Sequence, residues 1–148
     1  MLGCTDSLAV TPQPSTGPSY VTFDGVAFQG LSRRTGYQMV RMNGRYLTKS
    51  PLLVARDAGP LNVKVVSPRS VTLAWVPARI WIGSARFDIR DFESRWTTFT
   101  GCDRPSSYWL GGVASTQPTA CATLEVSSPR LPPTRVVAAL GKITCPAS

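Results

Sequence analysis

The chain has 148 residues and a formal charge of +8, from 16 basic and 8 acidic side chains. This length suits one domain whose core can fold without the help of a metal or a cofactor. The chain has no histidine, so the commonest catalytic base and the usual zinc ligand sets are missing. We therefore expect no metal site, no cofactor and no catalytic residue, and we expect the protein not to be an enzyme.

Proline and glycine interrupt the chain too often for long helices, with 13 prolines and 12 glycines. Short runs rich in Val, Thr, Phe, Trp and Tyr lie between them, which is typical of all-β domains. The sequence predicts an antiparallel β-sandwich, Ig-like or jelly-roll-like, crosslinked by disulfides. The basic charge favours anionic partners, but no recognition-helix pattern accompanies it, so sequence-specific nucleic-acid binding is not expected. No apolar run is long enough to cross a membrane.

Residues 1–19 include TPQPSTGPS, a composition that predicts an extended N-terminal tether, and residues 20–148 are predicted to form the single domain. Cys4 has two interpretations. Because it follows Gly3, it is similar to the lipid-modified first residue of a mature bacterial lipoprotein. Alternatively it is a structural cysteine, and counting cysteines favours its pairing with Cys145.

The clearest local signal is Asn43-Gly44 between two β-prone runs, which predicts a type I′ hairpin with Met42 opposite Arg45 and Arg41 opposite Tyr46. Basic residues without a local carboxylate gather on this hairpin and its approach. They form a candidate polyanion-binding patch, which consists of Arg33, Arg34, Arg41, Arg45 and Lys49. The other interpretation is a charged edge strand that resists aggregation.

Two runs with strict alternation predict the core strands. Leu61, Val63 and Val65 share one face of the first, and Val71, Leu73 and Trp75 share one face of the second. The turn at residues 67–70 joins them. Residues 78–83 predict a further strand, with Ile80 and Ile82 facing away from Trp81. Residues 86–95 predict either a short strand or a helical turn before a strand at residues 96–101.

The last third of the chain contains two β-prone runs, WTTFTGC and CATLEV, whose inner ends are Cys102 and Cys121. The intervening segment is rich in Pro, Gly and Ser, so we expect a loop with a turn at Gly111-Gly112. A Cys102–Cys121 disulfide would then join the two runs as a strand pair. Tyr108 and Trp109 lie inside that loop and are candidate binding aromatics, whereas Trp81 and Trp96 are assigned to the core.

Acidic residues give no sign of a catalytic pair. Asp88, Asp91 and Glu93 alternate with arginines, which is typical of surface ion pairs and not of the paired carboxylates of a glycosidase. The chain contains no GxSxG, SxxK, GxxxxGK[ST], GxGxxG or calcium-loop motif.

The spacing of apolar residues and cysteines in this C-terminal part resembles a group of uncharacterised exported actinobacterial proteins. The framework reads FxxC, GG, PxxCxxLxV and a final Cys. The matching residues are Phe99, Cys102, Gly111-Gly112, Pro118, Cys121, Leu124, Val126, Val136-Val137, Leu140-Gly141 and Cys145. The resemblance covers about the last third of the chain and implies a structural framework without a catalytic residue.

Four widely spaced cysteines in a turn-rich chain indicate an oxidising compartment. We therefore expect an extracytoplasmic protein, either secreted or anchored by a lipid on Cys4. The expected function is that of a non-catalytic binding or structural module at the cell envelope, whose partner is an anionic envelope polymer or another envelope protein. Two alternatives are an assembly or spacer subunit of a larger envelope protein, and a hydrolase that works without histidine.

Overall fold

A computed structural model describes residues 1–9, 20–23, 25–32, 39–83 and 86–146. These residues form short strands, one helical turn and two 3-10 turns. The strands are β1 (Leu8–Ala9), β2 (Tyr20–Phe23), β3 (Val26–Gln29), β4 (Met39–Met42), β5 (Arg45–Lys49), β6 (Leu52–Ala55), β7 (Leu61–Ser67), β8 (Val71–Val76), β9 (Trp96–Phe99), β10 (Ser106–Ser115), β11 (Ala120–Ser128) and β12 (Leu131–Leu140). The helical turn is α1 (Ala78–Trp81), and the 3-10 turns are Cys4–Asp6 and Ile89–Phe92.

The strands form two sheets. The large sheet has the order β2-β3-β6-β10-β5-β4, and β1 and β8 also pair with β10. The small sheet has the order β12-β11-β7-β9. Every pair of named strands is antiparallel. The predicted all-β antiparallel sandwich is therefore confirmed.

The main core lies between the two sheets. Leu61, Val63 and Val65 of β7 are buried, as are Val71, Leu73 and Trp75 of β8, so the predicted alternation of both strands is confirmed. Edge-to-face ring contacts run through the core from Phe28 to Trp75 (6.1 Å between centroids), from Trp75 to Phe99 (5.5 Å) and from Phe99 to Trp109 (5.3 Å). Burial of these rings and the aliphatic side chains around them is the main source of stability.

The central strand β10 belongs to both halves of the large sheet. Its residues 106–109 pair with β6, and its residues 112–115 pair with β5. Where these two segments meet, Gly111 has a φ of 134°. The backbone of a neighbouring strand lies close to each of the two glycines, Gly111 and Gly112. A Cβ atom on Gly111 would lie 2.3 Å from the Ala74 carbonyl oxygen, and one on Gly112 would lie 2.0 Å from that of Thr48. The predicted turn at Gly111-Gly112 is wrong, because the two glycines let a bent strand continue between close neighbours.

Opposite these glycines, the partner of β10 is interrupted as well. Ser50 and Pro51 separate β5 from β6. The Ser50 amide donates a hydrogen bond to the Gly111 carbonyl (2.8 Å), and the Trp75 indole N–H donates to the Ser50 carbonyl (3.0 Å). The backbone amide and carbonyl of Ser50 are thus both paired, and a core side chain holds the backbone there.

A second apolar cluster lies on the outer face of the large sheet. Leu47, Ala74, Val76 and Ala114 contribute to it, and Ile89 from the connection between β8 and β9 packs on them. The strand predicted at residues 78–83 is wrong: this segment begins with α1, and Ile82 is 64% exposed. The helical alternative for residues 86–95 is confirmed by the 3-10 turn Ile89–Phe92. The connection covers the face of β8 that points away from the main core.

The first nine residues pack on the domain, which differs from the tether predicted for residues 1–19. The Leu2 amide donates to the Thr98 carbonyl (2.8 Å), and the Thr100 amide donates to the Leu2 carbonyl (3.0 Å). A few residues later, β1 pairs with β10. This N-terminal segment therefore passes from the edge of the small sheet to the large sheet. Residues 10–19 lie outside the described residues.

The disulfides are Cys4–Cys102 and Cys121–Cys145, so both predicted pairings are wrong. The prediction assumed that β9 and β11 are adjacent, but β7 lies between them and pairs with both. Cys102 follows the end of β9 that lies beside Leu61, and Cys121 is near the opposite end of β7. Such a separation exceeds the Cα distance of about 4.4 to 6.8 Å that a disulfide requires. The sulfur of Cys4 is part of a disulfide and is not available for a lipid.

Removal of each disulfide should give unequal losses of stability. The Cys4–Cys102 bond joins residues 98 apart, and the Cys121–Cys145 bond joins residues 24 apart. Chain entropy then predicts losses of about 4.7 and about 3.5 kcal/mol for the respective double Cys→Ser variants. Urea titration measures both losses. Mass spectrometry of a non-reduced digest tests the pairing itself, and a peptide that links Cys102 to Cys121 would contradict it.

Substitution of the bend glycine should be far more costly than substitution of the hairpin glycine. Gly112→Ala forces a Cβ against the Thr48 backbone, and we expect a loss of about 3 kcal/mol or more in the free energy of unfolding. Gly44 has a φ of 77° and open space around it, so Gly44→Ala should cost only about 1 kcal/mol. Equal losses in urea titrations of the two variants would refute the close approach at β10.

Candidate binding surface

The hairpin at Asn43-Gly44 forms with the predicted register. Asn43 has a φ of 53° and Gly44 a φ of 77°, and the pairs Met42–Arg45 and Arg41–Tyr46 are present. Because side chains alternate along a strand, Arg45 and Lys49 lie on the same face as Leu47, whereas Arg41 lies on the opposite face with Tyr46. Two of the hairpin cations therefore share one face, and Arg41 lies on the other.

Each described cation of the hairpin also contacts another side chain. The Arg41 guanidinium lies 5.2 Å from the centre of the Tyr46 ring, and the Lys49 ammonium lies 5.7 Å from that of Trp81. The Arg45 Nε atom is 2.8 Å from Glu93 Oε1, a carboxylate that is distant in sequence. Of these three cations, Arg45 therefore has a carboxylate partner, and polyanion binding by the hairpin stays a prediction. Arg33 and Arg34 lie outside the described residues.

The predicted loop aromatics Tyr108 and Trp109 lie in β10, not in a loop. The Trp109 side chain is fully buried and packs on Phe99. The Tyr108 hydroxyl donates to Gln29 Oε1 at 3.4 Å. The prediction failed because Gly111-Gly112 was expected to end the strand. Trp109 therefore belongs to the core, and the half-buried Tyr108 lies on the other face of β10, so the two rings do not form one aromatic site.

The acidic segment forms surface ion pairs, as its sequence predicts. Asp88 accepts hydrogen bonds from the Arg90 side chain and from the Arg90 amide (2.9 Å), at the start of the 3-10 turn. These two bonds lower the pKa of the Asp88 carboxyl below its usual value. The carboxylate is thus fully ionised and caps the turn. Within the described ranges, no cluster of three or more metal-binding side chains occurs.

A row of four long side chains crosses the outer face of the small sheet. Trp96 of β9 is opposite Lys64 of β7, Lys64 is opposite Glu125 of β11, and Glu125 is opposite Arg135 of β12. We call these four residues the outer row. Their inward neighbours along the strands, such as Val63 and Phe99, are buried in the core. Strand alternation therefore places all four members of the row on the solvent side.

Trp96 is the most prominent member of the outer row, with 67% of its surface exposed. Lys64 and Arg135 are exposed as well, and Glu125 is half-buried. Beside the row, the Thr98 hydroxyl donates to Asn62 Oδ1 at 2.7 Å. The neighbouring outward positions on β11 carry Thr123 and Ser127. The Trp96 ring thus stands on a surface of short or polar side chains.

The charge of the small sheet differs from that of the rest of the molecule. Its strands and adjoining turns, residues 61–70, 96–99 and 120–142, contain one carboxylate, Glu125. In the same ranges there are several basic side chains, which favour an anionic ligand. They are Lys64, Arg69, Arg130, Arg135 and Lys142. By contrast, Asp6, Asp88, Glu93 and Asp103 form ion pairs with arginines elsewhere.

Sequence reasoning missed Trp96 because it assigned strand aromatics to the core. The run WTTF places Trp96 and Phe99 on opposite faces, since they are three residues apart. Phe99 is fully buried and Trp96 is exposed. The alternation was therefore a usable signal that one of the two rings faces outward. Which of them does so depends on the position of the second sheet.

Comparisons of the chain with protein-family models, with curated proteins and with solved structures found no match. Among the described residues, no helix has the length and apolar character needed to span a membrane.

Alanine substitution of Trp75 and of Trp96 should distinguish a tryptophan of the core from one on the surface. Trp75 is 3% exposed and Trp96 is 67% exposed. We expect Trp75→Ala to lower the free energy of unfolding by about 3 to 5 kcal/mol and Trp96→Ala to change it by no more than about 0.5 kcal/mol. Urea titration of the two variants measures the difference. A large loss for Trp96→Ala would mean that its ring supports the fold.

Proposed function

We propose that this chain is an exported, non-catalytic β-sandwich module that binds a component of the cell envelope through the outer face of its small sheet. The observation that carries the proposal is the exposed Trp96 ring in register with Lys64, Glu125 and Arg135. An aromatic ring beside charged groups on a rigid sheet is a surface suited to recognition. Burial of this ring by a ligand would remove a large apolar area from water.

The cysteines support the proposed compartment. All four are in disulfides, and such bonds persist in oxidising environments outside the cytoplasm. One disulfide holds the N-terminal segment, and the other joins the segment after β12 to β11, so both fix the small sheet or its edge. The framework of the last third of the chain resembles exported actinobacterial proteins, and this resemblance implies the same compartment.

The absence of histidine from the sequence supports a non-catalytic role. The carboxylates of the described residues lie in ion pairs or at separate positions, and Glu125 stands between two cations. Such an arrangement is typical of surface ion pairs and not of the paired carboxylates of a glycosidase. The proposed module therefore binds its ligand without changing it.

Sedimentation with isolated actinobacterial cell envelopes tests the proposed function. We expect the wild type to sediment with the envelopes, and we expect Trp96→Ala to lower its affinity about tenfold, because central aromatic residues dominate binding energies. Ile82→Ala is the matched control, since it also removes an exposed apolar side chain, 64% exposed, from a different face. Sedimentation of Trp96→Ala equal to that of the wild type would contradict the proposal, as would a wild type that stays in solution.

A further inference from the structure

We infer that the ligand of the outer row is a polysaccharide that carries anionic groups, with one sugar ring stacked on Trp96. This inference rests on the proposed function, since it names the ligand class of the same surface. The four residues of the outer row come from four adjacent strands of one sheet. With strands about 4.8 Å apart, the row extends over about 14 Å. That length accommodates more than one sugar ring of a chain that runs across the strands.

The chemistry of the row matches that of a sugar chain. A sugar ring has an apolar C–H face, which can cover the ring of Trp96, and hydroxyl groups at its rim. Lys64 and Arg135 are donors, and the Glu125 carboxylate is an acceptor. The Asn62–Thr98 pair beside them adds further polar groups at the same face. One aromatic platform with donors and acceptors on its flank therefore satisfies both parts of a sugar.

The charges favour an acidic chain over a neutral one. The small sheet and its turns hold five basic residues and the single carboxylate Glu125. Lys64 and Arg135 stand on the two sides of Glu125, so two anionic groups of a ligand can each contact one cation while a hydroxyl between them contacts the carboxylate. A uronic acid carboxylate and a phosphodiester share this chemistry.

The same residues are less suited to the other two classes of macromolecule. A protein partner usually meets an apolar centre with a polar rim, but on β7 the outward neighbours of Trp96 are Lys64, Asn62 and one small apolar residue, Val66. A single-stranded nucleic acid needs several aromatic platforms along a continuous basic track, and Glu125 interrupts this track. Protein and nucleic acid are therefore outcomes of the test and not the inference.

Titrations with defined polymers test the ligand class. The probes are polygalacturonate, a sugar-containing teichoic acid, neutral dextran, polyphosphate and oligo(dT). We expect one or both acidic sugar polymers to bind more tightly than dextran, and Trp96→Ala to weaken that binding about tenfold. Trp96→Phe keeps an aromatic ring and should retain most of the affinity. The difference between polygalacturonate and teichoic acid identifies the anionic group.

Charge variants test the role of the two cations. Lys64→Gln with Arg135→Gln should weaken the acidic polymers and reduce the salt dependence of their binding, while dextran binding stays unchanged. Arg41→Gln with Lys49→Gln removes the same charge from the hairpin of the large sheet and is the matched control. An equal loss in both double variants would show a general charge effect and would overturn the inference.

Other outcomes overturn the inference in ways that separate it from the proposed function. Polyphosphate or oligo(dT) could bind as tightly as the sugar polymers and in a way that depends on Trp96. That result would show that the ligand belongs to a different class. If dextran bound as tightly as the acidic polymers, the result would show that the ligand does not need anionic groups. Envelope sedimentation that depends on Trp96 but is abolished by protease treatment of the envelopes would keep the proposed function and identify a protein ligand instead.

Discussion

The close approach of three strands at Gly111-Gly112 is the constraint on which this architecture depends. β10 carries both halves of the large sheet, and its two glycines pass within a few ångströms of the backbones of Ala74 and Thr48. The indole of Trp75 donates a hydrogen bond to the carbonyl of Ser50, between β5 and β6. The course of the backbone at the glycines and the packing of the aromatic core therefore depend on each other. With side chains at these glycines, β5 and β8 would have to move away from β10, and the core between the sheets would open.

That bend also determines how the chain closes the sandwich. Since β10 lies in the large sheet, β9 and β11 do not meet, and both pair with β7 instead. The N-terminal segment then covers the outer edge of β9 through Leu2 and reaches β10 through β1. Its disulfide to Cys102 and the bonds from Arg104 to Cys4 and Ser7 hold it there. Coverage of an edge strand in this way blocks pairing with other chains.

Local features of the fold were predictable from the sequence, and those that depend on strand order were not. Asn43-Gly44 specifies its own turn through positive φ angles, and the alternation in residues 61–65 specifies which face is buried. The disulfide pairs, in contrast, depend on β7 lying between β9 and β11. The contact of Arg45 with Glu93 likewise joins segments that are distant in sequence. The exposed position of Trp96 was missed because the run WTTF has an aromatic ring on each face, so its pattern does not show which face the second sheet covers.

The two sheets differ in what lies on their outer faces, and this difference bears on function. The connection after β8 covers part of the large sheet, where Ile89 and the rings of Phe87 and Phe92 pack over Leu47 and Val76. On the small sheet, Trp96, Lys64 and Arg135 remain in contact with solvent. Because Trp96 is exposed, packing in the core does not account for a tryptophan at this position. Its register with three charged residues gives it neighbours suited to a polar, anionic ligand. Since the strands beneath are fixed by the core and by disulfides at either end, such a ligand would meet side chains whose backbone positions are already set, and little ordering entropy would oppose binding.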